Sequence, residues 1–326
     1  MRNSVRDYGI RMQPMRMGDC VDAAFDLYRA NLKLFLTISM FLFVPLRMGT
    51  NFLLLSPAFK NLGNSVKPPS PDDLVSSLIL LSLLGVISLL VLPIQLGAVT
   101  VAAADRLFNN VITVKQSLRL SLKRFGSLTG TLIFIGLVAT FVGVFIMFIG
   151  VIVISVAIAG FASTAGANSS PLAVTLGMLV GISFFVFALA VSAYMGLFVV
   201  QIVVLEGQSF TAAIQRNIKL VRKQFLQSAW ILIICFVIIQ VLESALLFPI
   251  QILLEPLLTL IRFPPTLQAA VIAALDAVIS LIIQPFTMVL LTVFYFERRC
   301  RVEGFDIYKE LQNQPEPTTQ LSILAV

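Results

Sequence analysis

Lysine and arginine crowd into alternate gaps between long apolar runs, and the intervening gaps are almost bare. A chain patterned this way threads a bilayer repeatedly, because basic loops stay in the cytosol while the opposite loops are translocated. Six runs exceed the roughly 20 helical residues that a hydrocarbon core of about 30 Å requires. They are residues 32–55, 74–104, 127–160, 172–205, 228–254 and 269–296. The N-terminal segment through Lys33, at the start of the first run, and the segments after the second, fourth and sixth runs hold nineteen basic residues. The other gaps hold three (Lys60, Lys67 and Arg262), and Arg47 lies inside the first run. Both chain ends are therefore expected in the cytosol.

Composition agrees with this layout. Only 12% of the 326 residues are charged, 58% are hydrophobic, and the mean hydropathy is +0.98. Soluble domains carry about 25% charged residues, so this chain has too few to clothe a water-facing surface. The expected fold class is an all-α integral membrane protein with six transmembrane helices. The net charge of +7 belongs to cytosolic loops, and no basic-aromatic module accompanies it, so nucleic acid is not an expected partner. Residues 1–16 read as a basic cytosolic tail, 17–312 as the six-span domain and 313–326 as a flexible cytosolic tail. The N-terminus does not read as a cleavable signal. Its arginines precede a polar amphipathic stretch, and the apolar run that starts near Leu32 is too long for a signal core.

The runs group in pairs. A short amphipathic stretch precedes runs one, three and five. In the second stretch Thr113 and Gln116 are spaced as a capping box. Val114, Leu118, Leu122 and Phe125 follow on one face, and Lys115, Arg119 and Lys123 form a basic stripe. In the third, Ser209 is the expected cap, Phe210, Ile214, Ile218, Val221 and Phe225 are apolar, and Arg216, Lys219 and Lys223 are basic. In the first, Asp19 is the expected cap, with Val21, Phe25, Tyr28 and Leu32 as the apolar edge. Its Asp19, Asp22 and Asp26 form an acidic face that either docks on the basic stripes or stays solvated. These stretches read as helices in the inner headgroup plane. The even runs share a second device: Pro93, Tyr194 and Pro285 lie twelve residues before Asp105, Glu206 and Glu297. Three parallel units are expected, each an interfacial helix followed by a helical hairpin.

The span-end acids oppose the helix macrodipole, at roughly 0.3–1 kcal/mol each, and so need nearby cations. Arg106, Arg298 or a basic residue of an interfacial helix would serve. Asp105, Glu206 and Glu297 are thus expected to pin interfacial helices to span ends. The basic side chains nearby (Lys115, Arg119, Lys123, Arg216, Lys219, Lys223, Arg298, Arg299 and Arg301) are candidate contacts for anionic headgroups, at about 1 kcal/mol each close to a membrane. The bland alternative is that they only set orientation.

Arg47, Glu243 and Asp276 lie within apolar runs, where a charge costs a few kcal/mol or more. At 1.5 Å per residue, Arg47 and Glu243 each sit about 22 Å from the cytosolic edge, which suggests that they pair. Asp276 lies about 31 Å from Glu297, nearer the outer interface. The three form a candidate intramembrane polar site, either a pocket for a solute or a structural ion pair with one interfacial acid. Gly136, Gly143 and Gly150 recur on one face of run three and would permit close helix approach.

Catalytic chemistry has little to work with. The chain has no histidine, no phosphate-binding glycine loop and no nucleophile elbow. Cys20, Cys235 and Cys300 are far apart in sequence, so neither a disulfide nor a zinc site is expected. No cofactor, metal or catalytic residue is assigned.

Two stretches carry a family resemblance. Pro14-Met-Arg-Met-Gly18-Asp-Cys-Val-Asp22-Ala-Ala-Phe25-Asp-Leu-Tyr28-Arg29-Ala-Asn31 opens the domain, and Tyr295-Phe-Glu297-Arg298-Arg-Cys-Arg301-Val-Glu303-Gly304-Phe305-Asp306 closes it. Both, with Val204-Leu-Glu206-Gly and Lys219-Leu-Val-Arg222 between them, resemble bacterial six-span proteins of the glycerophosphoryl diester phosphodiesterase membrane-domain family. The chain departs from that pattern at Cys20, where the family has an acid, and at Tyr194, where it has proline. The resemblance implies a bacterial cytoplasmic membrane and proximity to lipid metabolism. It implies no phosphodiesterase activity, since the catalytic domain of the fusions behind the family name is not among these residues. Two functions are expected from these readings. The first is a non-catalytic module that contacts anionic lipid and supports a membrane partner, a second copy of itself or an envelope lipid process. The second is a transporter or channel for a small or amphipathic solute.

Overall fold

The structure is a computed structural model. It describes residues 14–54, 71–165, individual positions between 175 and 194, 196–261 and 263–305. Lys60, Lys67, Arg262 and both tails lie outside the described residues. Among the described residues every regular element is helical. They are α1 (Met17–Ala30), α2 (Leu32–Leu54), α3 (Pro71–Leu107), α4 (Val114–Lys123), α5 (Phe125–Ala165), α6 (Val199–Gln201), a π-helix (Ile202–Glu206), α7 (Phe210–Arg222), α8 (Phe225–Leu260) and α9 (Pro265–Glu303).

Four helices are long and apolar enough to cross a membrane: Leu78–Leu107, Phe125–Val156, Ile233–Leu258 and Ala270–Glu303. In the first three, the most apolar stretch faces outward almost entirely, although the end of the first, residues 98–104, is buried. Phe141 on α5 and Leu253 on α8 are 77% and 75% exposed, which water would not tolerate over so continuous a surface but hydrocarbon does. The fourth differs, with 61% of its apolar window buried against at most 11% in the others. Helix α9 is the hub, packing against α1, α2, α3 and α8. Of Gly136, Gly143 and Gly150 on α5, Gly150 alone meets a neighbour. A Cβ there would lie 2.9 Å from the Phe184 ring, whereas one at Gly136 or Gly143 would meet nothing. Those two face outward, so the expected close approach along α5 is confined to its far end.

The three amphipathic stretches are separate helices, α1, α4 and α7. Each is broken from the helix that follows by one or two residues, Asn31, Arg124 and Lys223–Gln224. The capping box at α4 is present: Gln116 N–H donates to Thr113 Oγ1 at 3.4 Å, and Thr113 N–H donates to Gln116 Oε1 at 3.0 Å. The other two caps differ from expectation. Helix α1 begins earlier, at Met17, so Asp19 sits in its first turn and accepts the Arg16 N–H at 3.2 Å. Ser209 occupies the cap of α7 without a side-chain bond. The neighbouring Phe210 N–H instead donates to Thr131 Oγ1 on α5, at 2.9 Å.

The inward faces match the apolar faces read in the sequence only in part. Tyr28 and Val221 are 6% and 0% exposed, and Val21, Val114, Leu118 and Ile214 pack against the core as read, but the sequence reading left out a set of small residues that is also buried. Cys20 and Ala24 on α1, Ser117 and Ser121 on α4, and Ala213 and Asn217 on α7 are at most 1% exposed. In every case they stand four and eight places after the N-cap, Arg16, Thr113 or Ser209. Phe25, Leu120, Leu122 and Phe210 are instead 43–54% exposed. The cause is proximity. A Cβ on Gly97 of α3 would lie 2.3 Å from Ser121 Oγ, so only small side chains fit between α4 and the backbone of α3. The acidic face of α1 (Asp19, Asp22, Asp26) is exposed and forms no ion pair among the described residues.

Candidate functional site

Polar side chains gather in two places, and α9 contributes to both. The first is a ladder inside the apolar bundle. Asp276, Ser280 and Gln284 recur every four residues and so share one face of α9. Arg47 Nε on α2 donates to Asp276 Oδ2 at 3.0 Å. Ser280 Oγ lies 3.4 Å from Glu243 Oε1 on α8. Gln95 Nε2 on α3 donates to Gln284 Oε1 at 3.1 Å. The three expected residues Arg47, Glu243 and Asp276 therefore come together along one helix face, but the pairing expected from depth is replaced. Arg47 pairs with Asp276, not with Glu243. Its long side chain bridges the level difference that the rise estimate left between them. Glu243 meets Ser280, one turn further along α9. Arg47 and Asp276 are 38% and 18% exposed at their side chains, so the ladder is open at that end and closes toward Gln95, which is 1% exposed. Gln95, Ser280 and Gln284 were missed in the sequence. The four-residue spacing from Asp276 was the available signal.

The second place is the end of the bundle that carries α1, α4 and α7. Here the Glu206 carboxylate takes a paired contact from Arg216 of α7, Nε to Oε2 at 2.7 Å and Nη2 to Oε1 at 2.9 Å. Tyr295 Oη adds a third bond at 2.6 Å. Burial alone would raise the Glu206 pKa, but the bonds from Arg216 and Tyr295 outweigh it and hold the carboxyl below its ordinary value. Arg216 also binds Glu303, and Arg299 bridges toward both acids while its guanidinium stacks over Phe305 at 4.3 Å. Glu206 ends a π-helix closed by Gly207 at φ 75°, a left-handed conformation that glycine adopts without strain. Arg216 therefore ties α7 to Glu206 at the end of the π-helix.

The other two acids behave differently. Glu297 accepts Arg301 Nε at 2.6 Å, and Arg301 Nη2 donates to the Met15 carbonyl at 2.7 Å. The link to α1 thus runs through Arg301. Asp105 accepts Asn110 Nδ2 at 3.4 Å and forms no ion pair among the described residues. The neighbouring arginines are engaged elsewhere: Arg106 Nη2 reaches the Ile112 carbonyl, and Arg298 reaches Gln224 and Gln227. Four of the expected headgroup contacts are consequently committed inside the protein. Arg216 and Arg299 hold Glu206 and Glu303, Arg301 holds Glu297, and Arg298 is 1% exposed. Lys115, Arg119, Lys123, Lys219 and Lys223 are exposed and form no ion pair among the described residues.

Each of the three short helices also places a polar side chain on the backbone of an even-numbered run. Ser121 Oγ donates to the Ile94 carbonyl at 2.8 Å, next to Pro93. Tyr28 Oη donates to the Ile282 carbonyl at 2.6 Å, near Pro285. Asn217 does more: its Nδ2 donates to the Tyr194 carbonyl at 2.7 Å, and its Oδ1 accepts the Phe198 N–H at 3.0 Å. It thus inserts between a carbonyl and the N–H four residues on, the pair a helix would otherwise join. At Tyr194, where the other even runs carry proline, a borrowed amide interrupts the ladder instead.

Among the described residues no group of three His, Cys, Asp or Glu side chains is placed to hold a metal ion. Burial pushes the Cys20 thiol up to about 12, with Glu297 and Asp19 adding to the shift, so it is not an activated nucleophile. No family model, no curated protein and no solved structure matches the chain.

Proposed function

We propose that the chain is a non-catalytic six-span module of a bacterial cytoplasmic membrane, with both ends cytosolic, that gathers anionic lipids at its basic face and supports a membrane partner or envelope lipid process. The observation that carries this reading is the pairing of free cations with exposed apolar flanks. On α4, Lys115, Arg119 and Lys123 stand beside Leu120 and Leu122, which are 43% and 53% exposed. On α7, Lys219 and Lys223 accompany Phe210, 47% exposed. A helix at the headgroup boundary needs both features, cations for phosphates and side chains for the acyl edge. The shared register of small residues in α1, α4 and α7 supports three parallel units, and the resemblance to the phosphodiesterase membrane-domain family points to the same layout. The test is lipid enrichment around protein purified with its native lipids. Replacing Lys115, Arg119 and Lys123 with Gln should reduce co-purified anionic lipid at least threefold while zwitterionic lipid stays constant. Equal anionic lipid in both proteins would remove the reading.

The ladder on α9 favours a second function, passage of a small or amphipathic solute. It joins side chains of four helices and is open at Arg47. Proteoliposome flux that is abolished by Asp276→Asn and Glu243→Gln supports transport. Absence of flux for wild-type protein across ionic and amphipathic solutes leaves the ladder as a packing device.

A further inference from the structure

One cation of the basic end has no counter-charge. Arg298 is among the largest fully buried side chains, 1% exposed, yet it forms no ion pair among the described residues. Its Nη1 reaches the amide oxygens of Gln224 and Gln227, and its Nε has no partner. The adjacent Glu297 is occupied by Arg301. A buried guanidinium without a carboxylate is costly unless something answers its charge. Arg298 lines a cavity of about 240 Å³ between the first turn of α1, the start of α8 and the end of α9. Arg16, Cys20, Gln227, Glu297 and Arg301 also line it. Three arginines against one carboxylate leave the cavity cationic.

The place recurs in the fold. The cytosolic ends of α2 and α3, closed by the start of α4, enclose a larger cavity lined by Lys33, Thr113 and Arg106. Arg106 follows Asp105 as Arg298 follows Glu297, and its Nε is likewise without a partner. At the third equivalent place Gly207 follows Glu206, and a Cβ there would lie 2.7 Å from Arg124 Nη2. Where the chain has no arginine of its own after the acid, the guanidinium of Arg124, the residue that follows α4, stands in the space.

We propose that the Arg298 cavity binds a phosphate group, either free or carried by a lipid headgroup. A guanidinium offers parallel N–H donors matched to phosphate oxygens, Arg16 and Arg301 supply rim charge, and the Gln227 amide supplies a neutral donor. This site is separate from the lysine stripes of α4 and α7. It stands whether or not those stripes gather lipid, and the Lys115/Arg119/Lys123→Gln protein serves as its control.

Calorimetric titration of the full chain in a phosphate-free maltoside micelle tests it, with inorganic phosphate in one arm and a short-chain phosphatidic acid in the other. Saturable one-to-one binding in either arm is expected, weakened at least tenfold in Arg298→Gln and at least threefold in Arg16→Gln, and unchanged in the lysine control. Binding of both probes identifies a free-phosphate site, and binding of the lipid alone identifies a headgroup site. Arg16 is exposed at the rim, so its variant decides the matter if Arg298→Gln does not fold. Saturable binding of neither probe, or binding that Arg16→Gln leaves unchanged, overturns the proposal.

Discussion

Replacing Glu206 with Gln removes the acid that takes the paired contact from Arg216 of α7. The carboxylate is 12% exposed and Arg216 is 16% exposed, so solvent screens the pair weakly. Glu206 accepts three close bonds, two from Arg216 and one from Tyr295. Hydrogen bonds to charged groups contribute about 1.5–3 kcal/mol each. Gln retains one acceptor oxygen, and Arg216 keeps Glu303 as a partner, so the loss is smaller than removing every bond. About 2–3 kcal/mol is expected, which is roughly a 30- to 150-fold increase in local opening. The readout is amide hydrogen exchange of α7, with α4 as an internal reference because it does not touch Glu206. The sign of the pH dependence follows from the depressed pKa. The stabilisation is complete above the ordinary carboxylate value of 4.5 and is lost as pH falls through the lower folded value. Wild-type α7 should therefore lose protection in acid below that range, and the Gln variant should show a smaller step, the one left by Glu303, whose carboxyl Arg216 also holds below its ordinary value. Protection of α7 within threefold of wild type at neutral pH would refute the reasoning.

Gly97→Ala should detach α4 from α3, because the new Cβ would lie 2.3 Å from Ser121 Oγ; limited proteolysis within residues 114–123 should accelerate, and adding Ser121→Ala should recover part of the protection. Asn217→Ala should lower stability by about 1–3 kcal/mol, the cost of buried groups left unsatisfied; a thermal midpoint equal to wild type would mean that the Tyr194 carbonyl and Phe198 N–H rejoin without the amide. Cys20 should alkylate roughly a thousandfold more slowly at pH 8 in folded protein than in denatured protein, since its thiol moves from 9.0 to about 12 and only the thiolate reacts; equal rates would contradict its burial.

Reading the sequence located the long helices well, because each apolar run carries its own signal and its boundaries are marked by charge. Helices α3, α5, α8 and α9 contain four of the six predicted runs, the second, third, fifth and sixth, and α1, α4 and α7 fall where amphipathic spacing placed them. Local chemistry was legible too. The Thr113–Gln116 box involves residues three apart and forms as spaced. Faces were legible only in part. Tyr28 and Val221 turn inward as read, but Phe25, Leu122 and Phe210 are exposed, because on a helix in a membrane both faces can meet apolar surroundings. The distance between α4 and α3 decided the matter in favour of Ser117 and Ser121.

Sequence alone thus determined that the chain is a helical membrane protein, where its charge collects and which residues are available to hold it. Only the tertiary structure decided the partners. It gave Arg47 to Asp276, paired Arg216, Arg299 and Arg301 with acids and left Arg298 without an ion pair among the described residues. The reason is physical: apolar periodicity and charge asymmetry act through the solvent and need no neighbour, whereas an ion pair depends on which helix ends lie side by side. That arrangement is set by packing between residues up to 286 positions apart, as Arg301 and Met15 show.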